Sequence, residues 1–248
     1  MSGHSKWATI RRKKGAIDAV RGKIFTKIGR EIAVAVRDGG PDPQNNSRLR
    51  DAIAKAKANN TPNDNIQRSI KKAAGDTGGA NYEEITYEGY GPSGVAVIVE
   101  AMTDNKNRTA GDMRHYFDKF GGNLGANGCV GWMFDKKGIM VIEKNSKVNE
   151  DDLMMEALEA GAEDVNVEDD YFEVLTLPDD FSVVREALEA KGYTFETAEI
   201  SMIPQNTIKL ESEEDVKKMN KLIEHMEDND DVQNVYHNWD MPEEEDEE

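Results

Sequence analysis

The sequence predicts an α+β protein with an N-terminal three-helix domain followed by two α/β ferredoxin-like domains, one inserted into the other. Three observations lead there. Apolar residues before Gly75 recur at helical spacing, after Tyr82 the period shortens to that of strands, and a short motif recurs with a period of 30 residues in the second half. The resulting domain plan is 1–78 for the helical unit, 79–136 plus 206–240 for one α/β unit, 137–205 for the insertion and 241–248 for an acidic tail.

From Ile17, apolar residues at Val20, Ile24, Ile28 and Ile32 fall on one face of a helix that ends before Gly39-Gly40. Leu49, Ile53 and Ala56 mark a shorter second helix. A third is expected from Thr61 as N-cap and Pro62 as first helical residue, with Asp64 in the first turn and Ile66 and Ile70 inside. Gly75 to Gly79 reads as a linker.

Ile85 with Tyr87, and Val95 to Val99, then form a hairpin closed by Gly89-Tyr90-Gly91-Pro92-Ser93-Gly94. Asn107 to Phe120 is a helix with Met113, Tyr116 and Phe117 inside, Val130 to Phe134 a strand, and Ile139 to Ile142 the start of another. Glu156-Ala157-Leu158-Glu159-Ala160-Gly161 recurs as Glu186-Ala187-Leu188-Glu189-Ala190, with Lys191 before Gly192. Each copy is a helix end between extended segments: Ile139–Ile142 and Asp164–Val167 around the first, Tyr171–Leu175 and Tyr193–Ala198 around the second. Together they give β-α-β-β-α-β, the split ferredoxin-like arrangement. The remaining helix (Val216, Met219, Leu222, Ile223, Met226) and strand (Val232–Tyr236) have no neighbours of their own and are expected to complete the Tyr82–Phe134 unit.

The net charge of −18 hides a division. Residues 1–80 hold 17 Lys and Arg against 7 Asp and Glu, and the rest hold 14 against 42. Cys129 is the only cysteine, so no intrachain disulfide forms and a reducing, cytoplasmic setting is expected. The basic start lacks the apolar core of a signal peptide, and no segment reaches the roughly 20 apolar residues of a membrane span, so no membrane role is expected.

Gly89-x-Gly91-x-x-Gly94 matches a dinucleotide-binding pattern, but that motif needs a helix after it and β-branched residues follow instead. Gly121, Gly122, Gly125 and Gly128 lack the Lys-Ser/Thr of a phosphate loop. His4, His115, His225 and His237 are scattered, so no metal site is expected. No nucleophile with a base and an orienting acid stands out. The chain is read as a non-enzyme without a small-molecule cofactor.

One constellation does discriminate. Lys6, Trp7, Arg11, Arg12, Lys13, Lys14, Arg21, Lys23, Lys27 and Arg30 place nine bases against Asp18 alone within 30 residues. Cations neutralise phosphates and release counterions, and an indole can stack on a base. These ten residues are the expected nucleic-acid contacts. No helix-turn-helix with a clear recognition helix is visible.

The blocks Gly3-His4-Ser5-Lys6-Trp7, Arg21-Gly22-Lys23-Ile24-Phe25, Tyr87-Glu88-Gly89-Tyr90-Gly91-Pro92, Asn107-Arg108-Thr109, Gly121-Gly122-Asn123-Leu124-Gly125, Ser201-Met202-Ile203-Pro204 and Val235-Tyr236-His237-Asn238 resemble the YebC/PmpR family, which includes a mitochondrial translational activator. The resemblance runs over almost the whole chain. It implies three domains, a role in gene expression, and a nucleic-acid partner that is either promoter DNA, for a transcriptional regulator, or ribosomal RNA, for a factor that assists elongation through stalling sequences such as proline runs.

Overall fold

A computed structural model describes residues 17–75, 81–145 and 148–241. The helical unit contains α1 (Ile17–Gly39), α2 (Ser47–Ala58) and α3 (Asn63–Gly75). Their core is Ile28, Ile32, Ala35, Val36, Leu49, Ala52, Ala56, Ile66 and Ile70, the residues that recur every three or four positions in each helix. The turn between α1 and α2 is fixed by Asn46, whose amide donates to Ala35 O and Gly40 O while its Oδ1 accepts from Leu49 N and caps α2.

Thr61 was expected to cap α3, and it does not. Asn60 takes a left-handed conformation (φ 56°), and the Asn60 and Thr61 N–H groups turn back to Lys57 O and Ala56 O, which makes Thr61 part of the C-terminal cap of α2. The Thr61 hydroxyl therefore makes no capping bond, and α3 begins at Asn63.

The second unit is a four-stranded antiparallel sheet of β1 (Glu83–Tyr90), β2 (Ala96–Thr103), β3 (Asn123–Leu124) and β8 (Val232–His237), in the order β3-β1-β2-β8. Helices α4 (Lys106–Lys119) and α7 (Glu213–Asp228) cover one face. Met113 and Phe117 from α4 meet Met219, Leu222, Ile223 and Met226 from α7 over Val97, Val99 and Ala101 of β2. The C-terminal helix and strand thus close the unit begun by the hairpin, with β8 paired antiparallel to β2.

The inserted unit is β4 (Phe134–Glu143), α5 (Glu150–Ala160), β5 (Asp164–Val167), β6 (Tyr171–Thr176), α6 (Phe181–Ala190) and β7 (Thr197–Pro204), with strand order β5-β6-β4-β7. The two copies of the sequence repeat are α5 and α6, and both pack over this sheet. The last strand starts later than Tyr193. Tyr193 N is bound to Leu188 O and Gly192 adopts φ 96°, so residues 191–193 end α6 and the pairing with β4 begins at Thr197.

A further expectation fails at Val130–Phe134. Residues 131–133 form a single 3-10 turn and the strand begins at Phe134. The reason is Glu88. Its buried carboxylate accepts from the N–H groups of Gly128, Val130 and Gly131 at 2.7–2.9 Å, so two of the donors a strand would present to a neighbour, those of Val130 and Gly131, are taken.

Candidate nucleic-acid interface

The ten contact residues expected from the sequence fall into three groups. Lys6, Trp7, Arg11, Arg12, Lys13 and Lys14 lie outside the described residues, and of Arg21 only the helical backbone is described. Lys23, Lys27 and Arg30 sit at i, i+4 and i+7 on one helix face, and that face is turned to the protein's own body. Lys23 Nζ meets Asp228 Oδ1 at 2.7 Å, Lys27 Nζ donates to Glu227 O at 2.8 Å, and Arg30 Nη1 donates to Asp231 Oδ1 and Met102 O, both at 2.7 Å. The Arg30 guanidinium also lies over the Tyr82 ring.

Asp231 is the centre of this junction. Its side chain is 5% exposed and accepts from Arg30, from Arg108 Nη2 (2.7 Å), Thr109 Oγ1 (2.8 Å) and Thr103 Oγ1 (3.1 Å). Burial alone would raise its pKa. The hydrogen bonds from Arg108, Arg30, Thr109 and Thr103 outweigh that effect and bring the carboxyl down to about 2.

Helix α2 is bound in the same manner to the insertion. Asp51 accepts from Ser182 Oγ (2.8 Å) and Arg185 Nη2 (3.2 Å), and Arg50 Nε donates to Glu186 Oε1 (2.9 Å). Burial raises the pKa of Asp51 against the opposing effect of these donors. Arg48 pairs with Glu84 and Lys55 with Glu31. At the meeting of the three units lies a cavity of about 410 Å³ lined by Glu31, Lys55, Glu100, Lys136, Glu199 and Gln233 among others.

Lys23, Lys27, Arg30, Arg48 and Arg50 therefore hold the units together, and Lys55 joins α2 to α1 within the helical unit. The cations of α3 do neither. Arg68, Lys71 and Lys72 are exposed, at i, i+3 and i+4, and have no ion-pair partner among the described residues, as is also true of Lys57 at the end of α2. Asn63, Asn65 and Gln67 are exposed on the turns just before them. Sequence reasoning placed the contacts only in residues 6–30. The signal for α3 was present in the spacing of Arg68, Lys71 and Lys72, but nothing in the sequence told these cations from the paired ones.

Two further features were not legible. The loop after α4, residues 121–133, is fastened by Glu88 and carries Trp132 with 69% of its surface exposed. Cys129, on the same loop, packs half-buried against the cluster of Ile98, Val130 and Phe134, and burial followed by the charge of Glu88 raises its pKa, so its thiol is not activated. No group of three or more His, Cys, Asp or Glu suited to a metal occurs among the described residues, and none of their helices is long and apolar enough to cross a membrane.

A three-helix unit joined through ion pairs to two antiparallel α/β units, one inserted in the other, defines a class of three-domain α+β proteins. Residues 5–76 match the TACO1/YebC protein N-terminal domain and residues 82–239 match the TACO1/YebC second and third domain, and the chain belongs to this family. It is 70% identical, over the whole of both chains, to a protein of Ruminiclostridium cellulolyticum named "Probable transcriptional regulatory protein". A protein of Acetivibrio thermocellus with the same name is 66% identical over 96% of this chain and 99% of its own. Among solved structures, a conserved hypothetical protein from Aquifex aeolicus superposes with a TM-score of 0.81 at 46% identity, covering 94% of this chain and 95% of that one.

Proposed function

We propose that this protein is a nucleic-acid-binding regulator of gene expression, not an enzyme, that holds a phosphate backbone with its helical unit. The observation that carries the reading is the division of cations in that unit: Lys23, Arg30, Arg48, Arg50 and Lys55 are matched to carboxylates, whereas Arg68, Lys71 and Lys72 are exposed on one helix with no carboxylate partner among the described residues. Unmatched cations on one helix face are what a polyanion needs. The N-terminal segment, with Lys6, Arg11, Arg12, Lys13, Lys14 and Arg21, extends the same charge, and Trp7 adds a ring. Lys23, Lys27 and Arg30 are the weaker members of the set, since each already has a partner.

Duplex DNA is the first target. The relatives' name points to transcription, and the exposed amides of Asn63, Asn65 and Gln67 at the N-terminal end of α3 belong to the side-chain types that pair with adenine in the major groove. Ribosomal RNA is the second, favoured by the exposed ring of Trp132, because unpaired bases in folded RNA are read by stacking.

The test is the salt dependence of affinity for duplex DNA. Replacing Lys6, Arg11, Arg12, Lys13 and Lys14 by Ala should make the log-log slope shallower by about 4–5, and Arg68→Ala, Lys71→Ala and Lys72→Ala together by about 2–3, at roughly 0.9 per phosphate contact. A slope that neither set changes overturns the reading.

A further inference from the structure

We infer that Trp132 is a stacking platform for an unpaired nucleobase, a second contact that lies away from the helical unit. The inference rests on the reading above only in taking nucleic acid as the partner.

The seven large apolar side chains that stand exposed among the described residues divide unevenly. Six lie between Met154 and Val183, all in the inserted unit. Trp132 is the seventh and stands alone, and at 69% it is also the most exposed of them. The other exposed residues of the loop are Gly121, Asn123, Ala126, Asn127 and Gly128, none of which carries a large apolar side chain.

The ring is nevertheless held in place. Its Nε1–H donates to Cys129 O at 3.1 Å, an oxygen that also accepts from Tyr90 OH at 3.2 Å. Beneath it, the Glu88 carboxylate gathers the N–H groups of Gly128, Val130 and Gly131, and Gly125 N donates to Glu88 O. The start of the loop is tied down as well, by Gly122 N on Phe117 O and by pairing of Asn123 and Leu124 with β1. The sole polar atom of the indole is thus occupied within the loop. What faces solvent is a flat aromatic surface with no free donor, on a loop that also carries the exposed Asn123 and Asn127. A flat ring without hydrogen-bond demand suits another flat ring, and stacking of bases on such a platform is tolerant of sequence.

Charge agrees with this. The acidity of the body is concentrated elsewhere: residues 137–204 hold 5 bases against 18 acids, while residues 119–134 hold Lys119 and no acid. The loop also stands apart from the helical unit. Arg30 reaches the body at Met102, near the end of β2, whereas Glu88 and Gly89 pair with Ile98 and Val97 near its start, about 14–17 Å away along the strand.

The test uses the full-length protein, a single-stranded RNA of about 12 nucleotides, single-stranded DNA of the same sequence, and the corresponding duplex. Trp132→Ala should weaken both single strands by about 5-fold to 150-fold and change duplex affinity little, while Trp132→Phe, which keeps a flat ring, should retain most of the affinity. A larger loss with RNA than with DNA assigns the site to RNA, and equal losses assign it to any unpaired base. Single-strand affinity unchanged in Trp132→Ala overturns the inference and leaves a protein contact as the use of the ring. The variant lacking the five N-terminal cations separates the two claims. If it loses binding while Trp132→Ala does not, the phosphate-binding reading stands without the platform. If the parent protein binds none of the three probes, both fail.

Discussion

Asp231→Asn should loosen the helical unit from the body. The side chain is 5% exposed, and every group around it is a donor: Arg30 and Arg108 with guanidinium N–H, Thr103 and Thr109 with hydroxyls. An amide of the same shape removes the negative charge and turns an NH2 toward those donors, leaving Arg30, itself 14% exposed, beside a neutral group. Breaking a buried ion pair from one side costs about 3–5 kcal/mol. Arg108 is 47% exposed and can turn to water, which lowers the expected loss to about 2–4 kcal/mol. For a chain of this length each kcal/mol lowers the melting temperature by about 2–4 °C, read by scanning calorimetry as an earlier transition of the helical unit. The pH dependence has a definite sign. The folded carboxyl titrates at about 2, below its ordinary value of 3.8, so its contribution is complete above about pH 4 and disappears as pH falls through about 2. That depression corresponds to about 1–2 kcal/mol after allowance for water at Arg108. An Asp231→Asn protein that melts with the parent, and keeps the parent's stability profile in acid, would refute the argument that this junction is held by charge.

Two other substitutions address local claims. Glu88→Gln should release the 121–133 loop by removing a charged acceptor shared by three N–H groups, at a cost of about 1–3 kcal/mol, seen as faster amide exchange at Gly128, Val130 and Gly131; protection equal to the parent's counts against the clamp. Gly138→Ala places a methyl group against Thr176 Oγ1 and 2.9 Å from Phe181 Cβ, so the insertion should lose about 1–3 kcal/mol in denaturant, and an unchanged midpoint contradicts the packing of α6 on β4 described above.

Much of this architecture was legible because local and tertiary preferences agree. The apolar spacing of Ile28 and Ile32 marks a helix and also builds the core, and Val97 and Val99 combine β-branching with burial under two helices. Where reading failed, a side chain distant in sequence had taken the backbone groups. Gly128 to Gly131 turn because Glu88, about 40 positions earlier, claims their donors, and Thr61 closes one helix instead of opening the next because Asn60 can adopt a left-handed conformation. The candidate interface shows the same limit. Composition revealed a basic unit beside an acidic one. It could not reveal that Lys23 and Arg30 meet Asp228 and Asp231, some 200 residues later, while Arg68, Lys71 and Lys72 meet none of the described carboxylates. Which cations hold the units together and which face outward is a property of the tertiary arrangement.

The central claim is that nucleic acid is held by the helical unit on its outward face. Ultraviolet crosslinking of the full-length protein to labelled nucleic acid, followed by mass spectrometry of the attached peptides, tests it directly. Crosslinks should fall in residues 1–30 and on α3 at 63–75, with a separate attachment at Trp132 when the probe is single-stranded. Crosslinks confined to the acidic insertion, residues 137–205, would contradict the account.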